Sequence, residues 1–223
     1  MVIKMEMLEK AIKYRRIVFV SKILAPVFKF LYYVFMAALV LCGIIALIVF
    51  LVNTSVENIM LPPLMTLQGD YYSLFLGNGI RIDAPYDTVS LGDIKTVIYA
   101  QLILIAAVSC MMTPVSLFIS KLCRNIAASL PYNLKNARYT MYIGLCVMIG
   151  YTFVLFMRRF YNYLLVKTFV PDPEAIHLSL GFDFGGVIIG LLIFLFGYVI
   201  GYSAERHITD AVKTDVHNDI VNK

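Results

Sequence analysis

The chain has 223 residues, of which 61% are hydrophobic and 15% are charged, and its mean hydropathy is +0.82. Soluble domains carry about 25% charged residues, so this chain lacks the polar surface that a soluble globular protein needs, and we expect much of its surface to face lipid. The net charge of +5 does not indicate nucleic-acid binding, because the cations are dispersed and no DNA-binding module accompanies them.

A basic segment, residues 1–29, precedes the first apolar run. Its apolar residues recur at helical spacing and indicate a short amphipathic helix on the membrane surface, with a solvated basic flank as the alternative. Residues 30–52 contain no charged side chain, and a helix of that length crosses ~30 Å of hydrocarbon. Because the run is longer than the ~7–15 apolar residues of a signal peptide, we predict an uncleaved first transmembrane helix.

A polar interval, residues 54–95, separates the first two apolar runs. Within it, residues 71–83 contain an Asn78-Gly79 step between two apolar stretches. Asn-Gly tolerates the positive φ values of a type I′ turn. The pattern therefore predicts a small β-hairpin in this loop.

Three further transmembrane helices are predicted over residues 96–119, 139–157 and 184–202. Pro114 lies inside the second and predicts a kink, because proline lacks the N–H and clashes with the preceding turn. A short basic loop, residues 121–138, joins the second and third. The sequence leaves open whether residues 158–182 extend the third helix. Residues 30–203 thus form one four-helix transmembrane domain, followed by a polar tail at 204–223, which makes the fold class an all-α integral membrane protein.

Lysine and arginine counts orient these spans. If both termini are cytoplasmic, fourteen of the 19 lysines and arginines lie on the inner side, as the positive-inside rule requires. Arg158 and Arg159 lie on the outer side and oppose the rule locally. We expect a multi-pass protein with cytoplasmic termini, an extracellular hairpin loop and the bilayer itself as its first partner.

The fourth helix carries a stripe of glycines at Gly186, Gly190, Gly197 and Gly201, which the spacing places on one face. Small residues let a neighbouring backbone approach closely, and close packing drives helix association in lipid. The stripe predicts a helix–helix contact, within this chain or with another.

The sequence offers no catalytic or metal-binding constellation. None of the predicted spans has an ionisable residue away from its ends, whereas relays and pumps use such residues. Asp183 at the mouth of the fourth helix is interpreted as a carboxylate favoured by the helix dipole, and His177 as part of a solvated loop. The four cysteines form no CxxC pair. We expect no cofactor, no metal and no enzymatic activity.

Two stretches resemble a bacterial family. Leu130-Pro131-Tyr132-Asn133-Leu134-Lys135-Asn136-Ala137-Arg138 is followed by Ile143-Gly144, and Gly190-Leu191-Leu192 is followed by Gly197, Gly201 and Glu205. This pattern and the order of the four helices resemble the family called Domain of Unknown Function 2975, although Tyr132 stands where phenylalanine is usual. The resemblance implies a small protein of the bacterial inner membrane without enzymatic activity. Its relatives often lie beside genes for helix-turn-helix repressors, which implies a regulatory role and a protein partner of that kind.

Three functions remain open on the sequence. The first is a membrane regulatory or accessory subunit that binds a protein through the glycine stripe or the 121–138 loop, with Pro131, Tyr132, Asn136 and Arg138 as candidate contact residues, or that associates with itself. The second is an immunity or peptide-binding protein that uses its outer loops. The third is a transporter or channel component.

Overall fold

The computed structural model describes the backbone of residues 2–51, 65–68, 71–75, 81–85, 90–128, 133–169 and 184–221. Side chains are described for residues 14–51, 90–128, 133–169, 184–206 and 209. Several features that the sequence singled out lie outside these residues. They are the Asn78-Gly79 turn, Pro131, Tyr132, His177 and Asp183.

Four long helices account for most of the described chain. They are α1 (Val2–Leu51), α2 (Leu91–Ala127), α3 (Leu134–Phe169) and α4 (Gly185–Val221). Each contains a segment long and apolar enough to cross a membrane: Tyr14–Leu51, Leu91–Ala127, Leu134–Phe169 and Gly185–Arg206. These four candidate spans fit a multi-pass membrane protein, as the composition predicted.

The helices continue well past the predicted membrane segments. A helix of 37 residues, such as α2 or α4, is about 55 Å long at 1.5 Å per residue, against about 30 Å of hydrocarbon. The basic N-terminal segment belongs to the same helix as the first apolar run, rather than forming a separate surface helix. The third helix passes Arg158 and Arg159 and ends at Phe169, and much of the polar tail is helical.

A small antiparallel sheet lies between α1 and α2 in the chain. Its strands are β1 (Met65–Gln68), β2 (Tyr71–Phe75) and β3 (Arg81–Pro85), in the order β1-β2-β3. Strands β2 and β3 occupy the segment for which a hairpin was predicted, with Phe75 opposite Arg81. Strand β1 pairs with β2 from Met65 opposite Leu74 to Gln68 opposite Tyr71, and the sequence analysis did not predict it.

Local hydrogen bonds explain where α2 begins. The Ser90 N–H donates to Oδ2 of Asp93 at 2.9 Å, and the Asp93 N–H donates to Oγ of Ser90 at 3.2 Å. This reciprocal capping box satisfies two backbone donors that the first turn of a helix leaves without partners.

The chain divides into two compact units. Unit 1 comprises Met1–Phe35, Met111–Tyr151 and Phe184–Lys223, and unit 2 comprises Met36–Cys110 and Thr152–Asp183. In unit 1, the Ser120 hydroxyl donates to the Ala25 carbonyl at 2.8 Å, which joins α2 to α1. In unit 2, the Tyr99 hydroxyl donates to the Ala46 carbonyl at 3.4 Å, which joins the same two helices.

The buried side chains of unit 2 are mainly apolar and come from α2 and α3, among them Ile94, Val97, Leu165 and Val166. Large apolar side chains are nevertheless exposed along all four helices, and Phe50 and Phe196 are more than two-thirds exposed, at 73% and 67%. Exposure on this scale exceeds what a soluble monomer tolerates. It is the expected state of side chains that contact lipid.

Candidate partner-binding surface

The end of α2 and the start of α3 hold the basic loop that the sequence singled out. Asn133 caps α3, because its Oδ1 accepts the Lys135 N–H at 2.9 Å and its carbonyl accepts the Asn136 N–H at 2.8 Å. Asparagine is a preferred N-cap residue, since its side chain pairs with a donor of the first helical turn. The cap fixes the residue at which α3 begins and hence the direction of the side chains that follow.

A side-chain hydrogen bond ties the two helices together beyond this cap. Asn125 Nδ2 donates to Oδ1 of Asn136 at 2.7 Å, and the Asn136 side chain is 1% exposed. Asn136 was a candidate partner contact on the sequence. In the folded chain it is buried and paired, so its role is to hold α2 and α3 together.

Aromatic rings reinforce the same junction. The Phe118 ring lies 6.0 Å from the Tyr139 ring in a stacked arrangement and 5.3 Å from the Tyr142 ring. Lys121 places its Nζ 5.8 Å from the centre of the Tyr139 ring, within the range of a cation–π contact. The Lys121 side chain is nevertheless exposed.

Exposed cations surround this junction. Unit 1 has nine lysines and arginines with exposed, described side chains, and we call this set the basic end: Arg15, Arg16, Lys22, Lys29, Lys121, Arg124, Lys135, Arg138 and Arg206. Among the described side chains of unit 1, Glu205 is the one carboxylate. Over the full sequence of unit 1, 14 lysines and arginines stand against six aspartates and glutamates. This excess gives the basic end a positive potential, which attracts anionic partners.

Contacts between helices show that these cations lie at one end of unit 1. The Ser120–Ala25 hydrogen bond sets Lys121 beside the basic part of α1. A Cβ at Gly201 would lie 3.3 Å from the Ala137 Cβ, which brings the Arg206 end of α4 to the start of α3. Arg138, a candidate partner contact on the sequence, is an exposed member of this set.

The glycine stripe of α4 packs against α3 of the same chain. A Cβ at Gly190 would lie 2.5 Å from the Met148 nitrogen, and one at Gly197 would lie 2.7 Å from the Met141 nitrogen. A Cβ at Gly186 would collide with the Tyr151 ring. No side chain fits at such distances from a backbone, so these glycines are what lets the two helices approach. The partner helix, which the sequence left open, is α3.

Gly144 is the residue of this contact that the sequence reasoning missed. A Cβ there would lie 2.5 Å from the Phe194 nitrogen and 2.7 Å from the Gly190 carbonyl oxygen. Gly144 and Gly190 therefore face each other where α3 and α4 are closest. The two glycines of α3, Gly144 and Gly150, are six residues apart. They do not show the four-residue spacing that revealed the stripe on α4.

Polar groups inside the described helices give little sign of chemistry. Pro114 lies within a continuous α2, and its kink stays a prediction. The Ser116 Oγ is buried and has no hydrogen-bond partner among the described residues. The described part of the chain contains no group of three histidine, cysteine, aspartate or glutamate side chains that could hold a metal ion.

Comparisons with known proteins add no constraint on function. No family model, curated protein or solved structure matches the chain.

Proposed function

We propose that the protein is a non-enzymatic accessory or regulatory subunit of a bacterial inner membrane that binds a protein partner at its basic end, on the cytoplasmic side. The observation that carries the proposal is the group of exposed cations around the α2–α3 junction, namely Lys121, Arg124, Lys135 and Arg138. The distribution of lysines and arginines along the chain supports a topology with both termini inside.

Of the two binding surfaces that the sequence allowed, the geometry favours the α2–α3 junction. The glycine stripe is covered by α3, so a partner could reach it only by displacing a helix of the same chain. The α2–α3 junction, unlike the glycine stripe, is accessible to a partner. The contacts that hold it together lie inside, and its cations are exposed. The Asn133 cap and the Asn125–Asn136 bond hold the backbone, and a held backbone lowers the entropy lost when a partner binds.

The charge of this surface indicates the kind of partner. Complementary potentials favour encounter and suppress wrong partners, so a protein with an acidic surface fits best. Two copies of the basic end would repel each other, which disfavours self-association through this surface. The family resemblance adds a candidate of this class, a small cytoplasmic helix-turn-helix repressor held at the membrane.

Site-specific photocrosslinking in cells tests the proposal. A photoreactive amino acid is placed at Lys135, and in a parallel strain at Arg158, an exposed cation of unit 2. We expect a crosslinked protein adduct from position 135 and none from position 158. Neutralising the neighbours with Arg124→Gln and Arg138→Gln should reduce the adduct about tenfold or more, since near-surface charge pairs of this kind each contribute a measurable part of affinity.

A matched control distinguishes the loss of these particular cations from a general loss of positive charge. Arg158→Gln with Lys167→Gln removes the same two charges from exposed positions of unit 2 and should leave the adduct unchanged. The proposal is wrong if position 135 crosslinks only to lipid or to the chain itself, or if both double variants reduce the adduct equally.

A further inference from the structure

A second part of the basic end has a distinct shape. An open cavity of about 450 Å³ lies along α1, and the described side chains that line it are Tyr14, Arg15, Val18, Phe19 and Lys22. These residues follow the spacing of one helix face. The cavity therefore offers two cations, two apolar side chains and one tyrosine to a single ligand.

An exposed apolar strip continues from this cavity along α1. Phe19, Ile23 and Phe30 are 65%, 51% and 66% exposed, and steps of four and seven residues place them on the same side of the helix. Phe30 is the first residue of the predicted membrane span. The strip thus leads from the two cations toward the hydrocarbon.

We propose that this surface is a binding site for an anionic phospholipid. Arg15 and Lys22 are about 10 Å apart along the helix axis at 1.5 Å per residue, close enough for both long side chains to reach one headgroup phosphate. The apolar strip takes an acyl chain, and Tyr14 has the amphipathic character of residues at the membrane interface. A free phosphate would contact only the two cations, whereas a phospholipid contacts both the cations and the apolar strip.

This site differs from the general attraction of basic segments to anionic membranes. Diffuse attraction depends on the total charge near the surface and falls off within a Debye length. A built site depends on which cations are present and becomes saturated. The two cases predict different results for variants that have the same net charge.

The test uses the full chain, delipidated in a non-ionic detergent and titrated with dioleoylphosphatidylglycerol, with bound lipids counted by native mass spectrometry. We expect saturable binding, and weaker binding of dioleoylphosphatidylcholine. Arg15→Gln with Lys22→Gln should weaken the phosphatidylglycerol interaction about tenfold or more. The control variant, Arg158→Gln with Lys167→Gln, should bind as the unaltered chain does. All four side chains are exposed, so the fold should survive, and an unchanged thermal midpoint verifies this.

Two further arms test the apolar part of the site. Phe19→Ser should weaken lipid binding, and glycerol 3-phosphate, which has the headgroup chemistry but no acyl chain, should fail to compete at equal concentration. The proposal is overturned if both charge variants lose binding equally, if binding does not saturate, or if glycerol 3-phosphate displaces the lipid. None of these outcomes involves the protein partner, so this inference stands or falls independently of the proposed function.

Discussion

The Asn125–Asn136 pair is the most informative polar contact of the basic end. Replacing Asn136 by alanine leaves the Asn125 amide, which is half-buried, without its 2.7 Å partner. A fully buried donor without a partner costs about 1–3 kcal/mol, and a half-buried one costs the lower part of that range, about 1 kcal/mol. We therefore expect Asn136→Ala to lower the free energy of unfolding by that amount, measured by denaturant titration in detergent micelles.

A double-mutant cycle isolates the pair from other effects of the substitution. Asn125→Ala, Asn136→Ala and the double variant should show a coupling free energy of about 1 kcal/mol, since the second substitution removes a partner that is already missing. Strictly additive losses would mean that the bond between the two amides contributes nothing to stability.

The same residue shows what a linear sequence leaves out. Asn136 stands between Lys135 and Arg138 in the basic 121–138 loop, and the sequence made it a candidate contact residue of that loop. Its burial depends on the end of α2 folding back against the start of α3, which brings Asn125 next to it. Arg138, two residues further along the helix, points away from that contact and is exposed. Local composition identified the segment, and the helix-to-helix contact decided which of its side chains is available.

The close approach of α3 and α4 depends on the absence of a side chain at individual glycines. Gly190→Ala would place a methyl group 2.5 Å from the Met148 nitrogen, and the helices would have to separate. Overpacking of this kind costs about 1–3 kcal/mol, so we expect a lower thermal midpoint in detergent. Gly144→Ala should behave in the same way, because it meets the backbone of Phe194 at the same distance.

Gly43 provides the matched control for these substitutions. It lies within α1, and nothing lies within 4 Å of the position that its Cβ would take. Alanine there should leave stability unchanged or raise it by up to about 1 kcal/mol, because alanine has the higher helix propensity. If Gly43→Ala and Gly190→Ala lowered the thermal midpoint equally, the loss at Gly190 would not be due to its close contact with α3.

The helices also show where sequence patterns stop being informative. The four-residue glycine spacing on α4 is visible without a structure, as is the existence of four apolar runs. The ends of the helices cannot be predicted in this way. The predicted spans end at charged residues, but lysine, arginine and glutamate are good helix formers in water, so a helix can continue past them. Thus α3 continues through Arg158 and Arg159 to Phe169. Only a capping contact such as Ser90–Asp93 marks an end locally.

Contacts between α1 and α2 also indicate which residues of α1 lie within the membrane. Ala25 is level with Ser120, one residue past the predicted end of the second span, because the short serine side chain bonds its carbonyl directly. If the first two helices cross the same slab, this contact favours a first span that begins near residue 26, a turn before the predicted residue 30. Lys29 would then lie about one turn inside the boundary, where a lysine side chain extends to the headgroups.

Membrane orientation is the prediction on which the cytoplasmic assignment of the basic end depends. If both termini lie on the same side, fourteen of the 19 lysines and arginines fall there. We therefore expect Arg16 and Arg206 to face the cytoplasm and Asp83 to face outward. Cysteines introduced as Arg16→Cys, Arg206→Cys and Asp83→Cys are tested in intact cells with a membrane-impermeant maleimide. The reagent should label position 83 directly and positions 16 and 206 only after permeabilisation. The unaltered chain, with its four native cysteines, sets the background.

Two results in intact cells would contradict this orientation. Labelling of position 16 but not 206 would require an odd number of membrane crossings. Labelling of both positions would place the basic end outside, where a cytoplasmic partner could not reach it.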